Sequence, residues 1–283
     1  MRENQRTIKQ EIWCSGIGIH SGDTIQMGIL PAEANAGIVF MRSDLTCNNV
    51  IPALFNYVID ATMCTAIANE HGVSVSTIEH IMSALWGCGI DNAIIQVCGK
   101  EVPIMDGSSS FFVDLLHKQG IEEQNATRKI VRIAETIHVT HGDKSITIEP
   151  SNSFSVNFTI DFSDSYIGKQ SYTFNENQDF GYNIGKARTF GFVEELEYLT
   201  QNGLAKGASL DNAVAVGKAG ILNEDGLRYE DEFVRHKVLD CIGDLYLAGA
   251  RIQGKVKAVK SGHALNNLLL KKLFSTHGAY VIN

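Results

Sequence analysis

The sequence lacks the signals of several large classes of protein. No apolar run approaches the roughly 20 residues that cross a membrane, and the first ten residues, MRENQRTIKQ, contain no apolar core of a secretory signal. The six cysteines form no Cys-x-x-Cys pair, which argues against a four-cysteine zinc site and favours reduced thiols. The net charge of −8 argues against binding driven by nucleic-acid phosphates. We therefore expect a cytoplasmic protein with no nucleic-acid partner and no stable membrane insertion.

Two common catalytic signatures are also absent. No Gly-x-Ser-x-Gly motif is present, so the commonest signal of a serine hydrolase is missing. The segment GIGIHSG at 16–22 lacks the third glycine of a dinucleotide loop, and no Gly-Lys-Ser/Thr follows it. We predict a hairpin turn there instead.

The length and the order of motifs indicate two related halves. A chain of 283 residues with 44% hydrophobic and 20% charged residues suits a soluble protein of two ordinary domains. Each half begins with strand-like segments and later has a helix with a histidine, a strand, and a glycine that opens another helix. From His80 to Gly107 is 27 positions, and from His236 to Gly262 is 26. We predict an internal duplication, with domains at 1–125 and 126–283 and a polar linker at 117–129.

The segment EDEFVRHKVLDCIGDLYLAG contains the most informative spacing. His236 and Asp240 are one helical turn apart, so their side chains project from the same face, and Asp244 extends that stripe. A nitrogen and a carboxylate can then converge on one point. The alternative is a solvated polar face on which the histidine and the aspartate merely pair.

A further candidate ligand lies in SVSTIEHIMSALWGCG. Glu79 and His80 open a predicted helix there. Together with His236 and Asp240, His80 would complete an N, N, O ligand set that leaves a fourth position for water, as in catalytic zinc sites, and Glu79 would be the adjacent general base. The alternative is that Glu79 closes a capping box with Ser76 and that His80 is an ordinary histidine.

The segment GKARTFGFVEELEYLTQNG allows two interpretations. Thr189 and Phe190 lie in a loop before a helix that ends at Gly203. Thr189 either caps that helix while the phenylalanines pack as a staple, or places a hydroxyl beside the metal with Phe190 as an aromatic platform for a substrate ring.

Five motifs taken together resemble one enzyme family. VSTIEHIMSALWGCGIDN, PIMDGSSSFFVDLL, ARTFGFVEELEYL, LNEDGLRYEDEFVRHKVLDCIGDLYLAG and KSGHALNN resemble, in this order, the UDP-3-O-acyl-N-acetylglucosamine deacetylases. The resemblance covers nearly the whole chain. It implies an α+β fold of two similar domains, each with a β-sheet and paired helices, with the helices sandwiched between the sheets.

The resemblance also implies a cofactor and roles for ten residues. It implies one Zn²⁺ per chain, with Fe²⁺ as a possible substitute, bound by His80, His236 and Asp240. The implied catalytic residues are Glu79 as base, Thr189 at the oxyanion, His263 as acid or electrostatic stabiliser, and Asp244, which orients His263. The implied contacts to the nucleotide-sugar are Phe190, Lys237 and Lys260.

The implied reaction is hydrolysis of the N-acetyl group of UDP-3-O-acyl-N-acetylglucosamine to a free amine and acetate, the committed step of lipid A biosynthesis. We expect a monomer whose acyl-chain channel is formed by an insert near 163–184. Two alternatives remain: a zinc deacetylase for another N-acyl substrate, and a non-catalytic protein that binds a sugar nucleotide. A structural zinc site would need a fourth ligand, commonly cysteine, and Cys241 points about 100° away from Asp240 around the helix.

Overall fold

The computed structural model describes residues 4–163 and 165–283 and has an α+β architecture. The strands of the first half are β1 (Asn4–Ile8), β2 (Ile12–Ile17), β3 (Thr24–Pro31), β4 (Ile38–Arg42), β5 (Val50–Pro52), β6 (Val58–Asp60), β7 (Ala66–Ala68), β8 (Ser74–Val75), β9 (Ala93–Cys98) and β10 (Ile121–Thr127). The α-helices of this half are α1 (Glu79–Cys88) and α2 (Ser110–Gln119).

The second half contains the remaining elements. Its strands are β11 (Ile130–Ile133), β12 (Ile137–His141), β13 (Lys144–Glu149), β14 (Ser155–Phe162), β15 (Gly168–Asn175), β16 (Phe190–Phe192), β17 (Val214–Gly217), β18 (Gly220–Ile221), β19 (Arg251–Gln253), β20 (Lys255–Val259) and β21 (Tyr280–Ile282). Its α-helices are α3 (Val193–Gln201), α4 (Glu232–Tyr246) and α5 (His263–Ser275). A 3-10 turn at Phe55–Tyr57 and a π-helical turn at Gly181–Gly185 complete the described secondary structure.

Each half contains a five-stranded sheet with the same topology. The spatial order is β2-β3-β9-β4-β5 in the first half and β12-β13-β20-β14-β15 in the second. In both sheets the central strand pairs in parallel with the strand on one side and antiparallel with the strand on the other. Each half also has a three-stranded sheet, β6-β7-β8 in the first half and β16-β17-β18 in the second. In chain order, this small sheet follows the fourth strand of the five-stranded sheet and precedes α1 in the first half and α4 in the second. The α+β class and the internal duplication are therefore confirmed.

The long helices bring the two halves together. Helix α1 packs against α4, and α4 and α5 also pack on the strands of the second sheet. All but one residue of α1 are buried, so this helix lies in the core rather than on the surface. It ends at Gly89, whose φ of 71° suits a left-handed C-cap. No helix in the described ranges is both long enough and apolar enough to cross a membrane.

Two segments differ from their sequence-based interpretation. The prediction of an irregular linker at 117–129 is wrong, because this segment contains the end of α2 and strand β10, which pairs with β1. The side chains of β10 are all partly buried or exposed, because this strand pairs with β1 in a two-stranded sheet. Its sequence is therefore polar and lacks the apolar alternation by which a strand is predicted. The segment at 163–184 contains β15, which pairs with β14 over eight residues as the edge of the second sheet. Residue 164 lies outside the described residues.

The predicted turn at 16–22 is confirmed. It joins β2 to β3, and the Gly22 N–H donates to the Gly18 carbonyl over 2.9 Å. The Gly18 N–H in turn donates to the Asp23 carbonyl over 2.9 Å. These bonds close the loop between the two strands, as in a hairpin.

We predict that Gly243→Ala destabilises the fold. A Cβ at Gly243 would lie 2.0 Å from the Glu79 carbonyl oxygen, so α4 and α1 would have to move apart. Overpacking of this kind typically costs about 1–3 kcal/mol, and the fixed backbone partner favours the upper end. Urea unfolding measures the change. Gly191→Ala is the control, since nothing lies within 4 Å of its added Cβ. Equal stability of the two variants would contradict the close crossing.

Candidate metal centre and active site

Three buried side chains converge between α1 and α4. His80 comes from the first turn of α1, and His236 and Asp240 are one turn apart on α4. The Nε2 atoms of His80 and His236 lie 3.5 and 3.4 Å from Asp240 Oδ1. One candidate ligand atom of each residue lies within 4.8 Å of the others. The alternative of a solvated polar face is wrong, because all three side chains are buried.

The charges of this cluster favour a cation. Burial lowers the pKa of His236 to about 3, despite the opposing effect of Asp240, so its imidazole is neutral and its Nε2 lone pair is available. Burial raises the pKa of Asp240, but His236 and Lys237 outweigh that effect and hold it well below its usual value. A neutral imidazole and an ionised carboxylate, together with the imidazole of His80, are donors of the type that bind a divalent metal.

One unpaired atom tests whether a metal fits. Asp240 Oδ1 is fully buried and has no hydrogen-bond partner among the described residues. An unpaired buried carboxylate oxygen is costly, and a cation at the point where the two Nε2 atoms converge would satisfy it. On the far side of the His236 ring, Nδ1 donates to the Ala187 carbonyl over 3.1 Å. This bond directs Nε2 toward the cluster, as the outer partners of metal-binding histidines do.

Glu79 faces the cluster from the residue before His80. Its Oε2 accepts the backbone N–H of Thr65 over 3.0 Å, and its Oε1 lies 3.9 Å from His263 Nε2. The capping-box interpretation is wrong, because Ile78 occupies the N-cap position without a side-chain cap hydrogen bond and the Glu79 carboxylate accepts from Thr65 instead. Burial raises the pKa of Glu79, and the nearby histidines oppose that shift only in part.

His263 begins α5 and is held by Asp244. Its Nδ1 donates to Asp244 Oδ2 over 2.8 Å, and Asn266 Nδ2 donates to the same oxygen over 2.8 Å. Burial lowers the pKa of His263, but Asp244 and Glu79 outweigh burial and raise it to about 9. The imidazole is therefore a cation at neutral pH, with Nε2 directed at Glu79.

Thr189 and Phe190 follow the loop segment whose Ala187 carbonyl accepts from His236. The Thr189 N–H donates to the Gly107 carbonyl over 2.8 Å, and the Phe190 ring lies 6.2 Å from the His236 ring. The capping interpretation of Thr189 is wrong, because strand β16 separates it from α3, whose N-cap is Phe192. Thr189 is half-buried and lies two residues after Ala187, the partner of His236 Nδ1.

The two lysines lie in different places. Lys237 Nζ is 2.8 Å from Asp240 Oδ2 and 5.8 Å from the centre of the Phe190 ring, so it borders the cluster. Lys260 pairs instead with Asp143 and Asp161, at 2.9 and 3.3 Å, outside the cluster. Phe162, next to Asp161, contacts Phe190 with ring centres 6.0 Å apart, and this contact connects the two regions.

Sequence reasoning missed the structural roles of four residues that hold the site together: Thr65, Asn266, Glu232 and Arg188. Thr65 donates its backbone N–H to Glu79 and its hydroxyl to Asp244, and Asn266 also bonds Asp244. The fully buried Glu232 accepts the Arg188 N–H and Nε, which fixes the segment that carries Thr189. No local pattern marks Thr65 or Glu232. For Asn266, its place one turn after His263 was an available signal.

The arrangement suits hydrolysis at a metal. It combines two imidazole nitrogens and a carboxylate for a cation, a second carboxylate with a raised pKa, and a charged imidazole 3.9 Å from that carboxylate. A base and an acid on adjoining sides of one metal are the groups needed to attack a carbonyl and to protonate a leaving group.

Comparisons with known proteins agree along the whole chain. A family model described as UDP-3-O-acyl N-acetylglycosamine deacetylase matches residues 5–275. Proteins named UDP-3-O-acyl-N-acetylglucosamine deacetylase from Haemophilus influenzae (strain PittEE) and Pasteurella multocida (strain Pm70) are each 50% identical over 279 residues, covering 98% of this chain and 92% of theirs. The protein of that name from Idiomarina loihiensis is 48% identical over 281 residues, covering 98% of this chain and 91% of its own. The chain therefore belongs to the UDP-3-O-acyl N-acetylglycosamine deacetylase family.

Proposed function

We propose that the protein hydrolyses the N-acetyl group of UDP-3-O-acyl-N-acetylglucosamine, releasing acetate and a free amine, and so commits the sugar to lipid A biosynthesis. The observation that carries the proposal is the approach of Glu79 Oε1 and His263 Nε2, 3.9 Å apart, beside the His80, His236 and Asp240 cluster. The names of the relatives supply the substrate. We further propose Zn²⁺, one per chain, as the cation, with Fe²⁺ as an alternative occupant of the same ligands.

An amide is a weak electrophile, and an amine is a poor leaving group. When bound, a divalent cation would supply Lewis acidity, which makes water more acidic and polarises a carbonyl. Glu79 would accept the proton of the attacking water, and its raised pKa keeps it basic enough for that task. The Thr189 hydroxyl would donate to the oxygen on which negative charge develops.

His263 would serve the second half of the reaction. Its Nδ1 bond to Asp244 leaves Nε2 as the N–H directed at the site, and its pKa of about 9 keeps it charged at neutral pH. A charged imidazole there can donate a proton to the departing nitrogen, or it can stabilise the negative charge that develops before the amine leaves. Asp244 would orient the ring and hold its charge.

The substrate is a dianionic nucleotide-sugar with a long acyl chain. Lys237 and Lys260 would offset the diphosphate charge in an otherwise acidic protein, and the Phe190 ring would pack against the substrate. The acyl chain needs an apolar surface, for which the sequence favours an insert near 163–184. We propose the unit from β16 to β18 instead, because its exposed apolar side chains lie on the same segment as Phe190: Val193, Leu196, Tyr198 and Leu210.

We propose that the protein works as a monomer in the cytoplasm, with no nucleic-acid partner, and that its domains are 1–125 and 126–283. Its six cysteines are all free, which fits a reducing compartment. The remaining alternative is a zinc deacetylase that acts on another N-acyl substrate, with the same metal centre and a different substrate pocket. A non-catalytic sugar-nucleotide binder would have no use for the Glu79 and His263 pair.

One assay tests the function. Purified protein is incubated with UDP-3-O-acyl-N-acetylglucosamine, and free amine is measured before chelation, after chelation, and after Zn²⁺ is restored. We expect turnover that chelation abolishes and zinc restores. A matched N-acyl sugar without the nucleotide is the comparison substrate. Binding without turnover would favour the non-catalytic alternative, and equal turnover of both substrates would favour a different deacetylase.

We predict that His236→Ala loses the metal. One of three ligands would be removed, and the remaining imidazole and carboxylate could not complete the set. Elemental analysis of purified protein should give about one zinc per wild-type chain and far less in the variant. His71→Ala, at an exposed histidine, is the control and should keep its metal. Full metal content in His236→Ala would contradict the assignment of the ligands.

We predict that Glu79→Gln keeps the fold and the metal but loses most activity. The amide keeps an acceptor for the Thr65 N–H but cannot take up a proton, and general base catalysis typically contributes about 10²–10⁴-fold. The measurement is kcat together with zinc content. Glu70→Gln, at an exposed carboxylate, serves as the control. If Glu79→Gln stayed within a few-fold of wild type, Glu79 would not be the base.

We predict a bell-shaped dependence of rate on pH. Activity should fall at low pH as Glu79, whose pKa is raised by burial, is protonated, and at high pH as His263 loses its proton. The His263 pKa of about 9 sets an upper limit for the basic limb, because a bound cation would lower it. The limbs belong to the coupled site rather than to single residues. His263→Gln should lower the rate and alter the basic limb without loss of metal. An unchanged profile would remove His263 from the mechanism.

A further inference from the structure

One buried threonine contacts the carboxylates of both Glu79 and Asp244. Thr65 lies just before β7, in the three-stranded sheet of the first half, and is 2% exposed. Its backbone N–H donates to Glu79 Oε2 over 3.0 Å. Its hydroxyl donates to Asp244 Oδ1 over 2.5 Å, across 179 positions of sequence. The N–H is available in any residue except proline, but the hydroxyl bond depends on the side chain.

These contacts form a closed ring. From Thr65 the ring passes to Glu79, whose other oxygen faces His263 Nε2 at 3.9 Å. It continues through His263 Nδ1 to Asp244 Oδ2 at 2.8 Å, and returns from Asp244 Oδ1 to the Thr65 hydroxyl. Each carboxylate therefore has one oxygen bonded to Thr65 and the other directed at His263. Thr65 closes the ring by bonding both carboxylates.

The ring limits how the carboxylates can turn. Without the hydroxyl, Asp244 Oδ1 would lose the hydrogen bond that it now makes in a buried position. The carboxylate could then rotate to share its bonds with His263 and Asn266 differently, and the imidazole would follow. Small displacements of a catalytic group cost large factors in rate, because the reacting atoms must lie within a narrow range of distance.

We infer that Thr65 is a positioning residue: its hydroxyl fixes Asp244, and through it the direction of His263 Nε2 toward Glu79. The inference rests on the proposed function for its effect on rate, but its effect on the His263 ring is independent of that function. It assigns a role in the second half of the active site to a residue from the small sheet of the first half.

The test compares variants that differ in one hydroxyl. Thr65→Val keeps the shape and the N–H but removes the hydroxyl, and Thr65→Ser keeps both donors. Outer partners of metal-site residues typically contribute about 10–100-fold, so we expect kcat of Thr65→Val to fall by about that factor. KM and zinc content should stay near wild type, and Thr65→Ser should stay within a few-fold. Thr7→Val is the control, since Thr7 is also buried and its hydroxyl donates to the Asn92 carbonyl over 2.8 Å.

Two further measurements separate positioning from a general loss of stability. In zinc-loaded protein, the ¹⁵N chemical shifts of the His263 imidazole should change in Thr65→Val and not in Thr65→Ser or Thr7→Val. In an Asp244→Asn background, Thr65→Val should cause little additional loss of kcat, since both changes act on one interaction. If Thr65→Val does not fold, Thr65→Ala takes its place with the same expectations.

The outcomes are distinct. Wild-type kcat together with unchanged His263 shifts in Thr65→Val would overturn the inference, as would a serine variant as slow as the valine variant. A wild-type protein without any deacetylase activity would count against the proposed function instead, and the ¹⁵N comparison would then decide the role of Thr65 alone.

Discussion

Helices α1 and α4 come from different halves of the chain and cross where Gly243 of α4 lies against the backbone of Glu79. A Cβ at that glycine would be 2.0 Å from the Glu79 carbonyl oxygen, so any other amino acid at position 243 would push the two helices apart. The crossing places His80 within reach of His236 and Asp240, and it places Glu79 opposite His263. Neither half contains all three side chains of the His80, His236 and Asp240 cluster, so the cluster forms only because the two duplicated halves pack in this way.

Burial of so many charged groups is costly unless each has a partner. Glu79, Asp240, Asp244 and His263 are all buried, and most of their polar atoms bond to one another or to nearby backbone. Asp240 Oδ1 is buried and has no hydrogen-bond partner among the described residues. A cation at this point would complete the balance of charge, so the electrostatics of the site and its proposed chemistry have the same requirement.

The sequence predicted features that depend on local periodicity and missed those that depend on tertiary contact. The spacing of His236 and Asp240 works as a signal because an α-helix has a fixed period, and the duplicated spacing predicted the related topology of the two sheets. Thr65 has no such pattern, because its partner Asp244 is 179 positions away. Polar composition was misleading at β10, where exposure on a two-stranded ribbon hides the strand alternation. The substrate contact of Lys260 was predicted from the family resemblance alone. In the structure Lys260 pairs with Asp143 and Asp161.

The central claim is that both halves supply ligands to one metal. Anomalous diffraction from crystals of the zinc-loaded protein, recorded on both sides of the zinc absorption edge, tests it directly. We predict a single strong peak between the two imidazoles and the Asp240 carboxylate, at roughly 2.0–2.2 Å from His80 Nε2, His236 Nε2 and Asp240 Oδ1. A peak bound only by residues of one half, or no peak at this position in protein that contains zinc, would contradict the account.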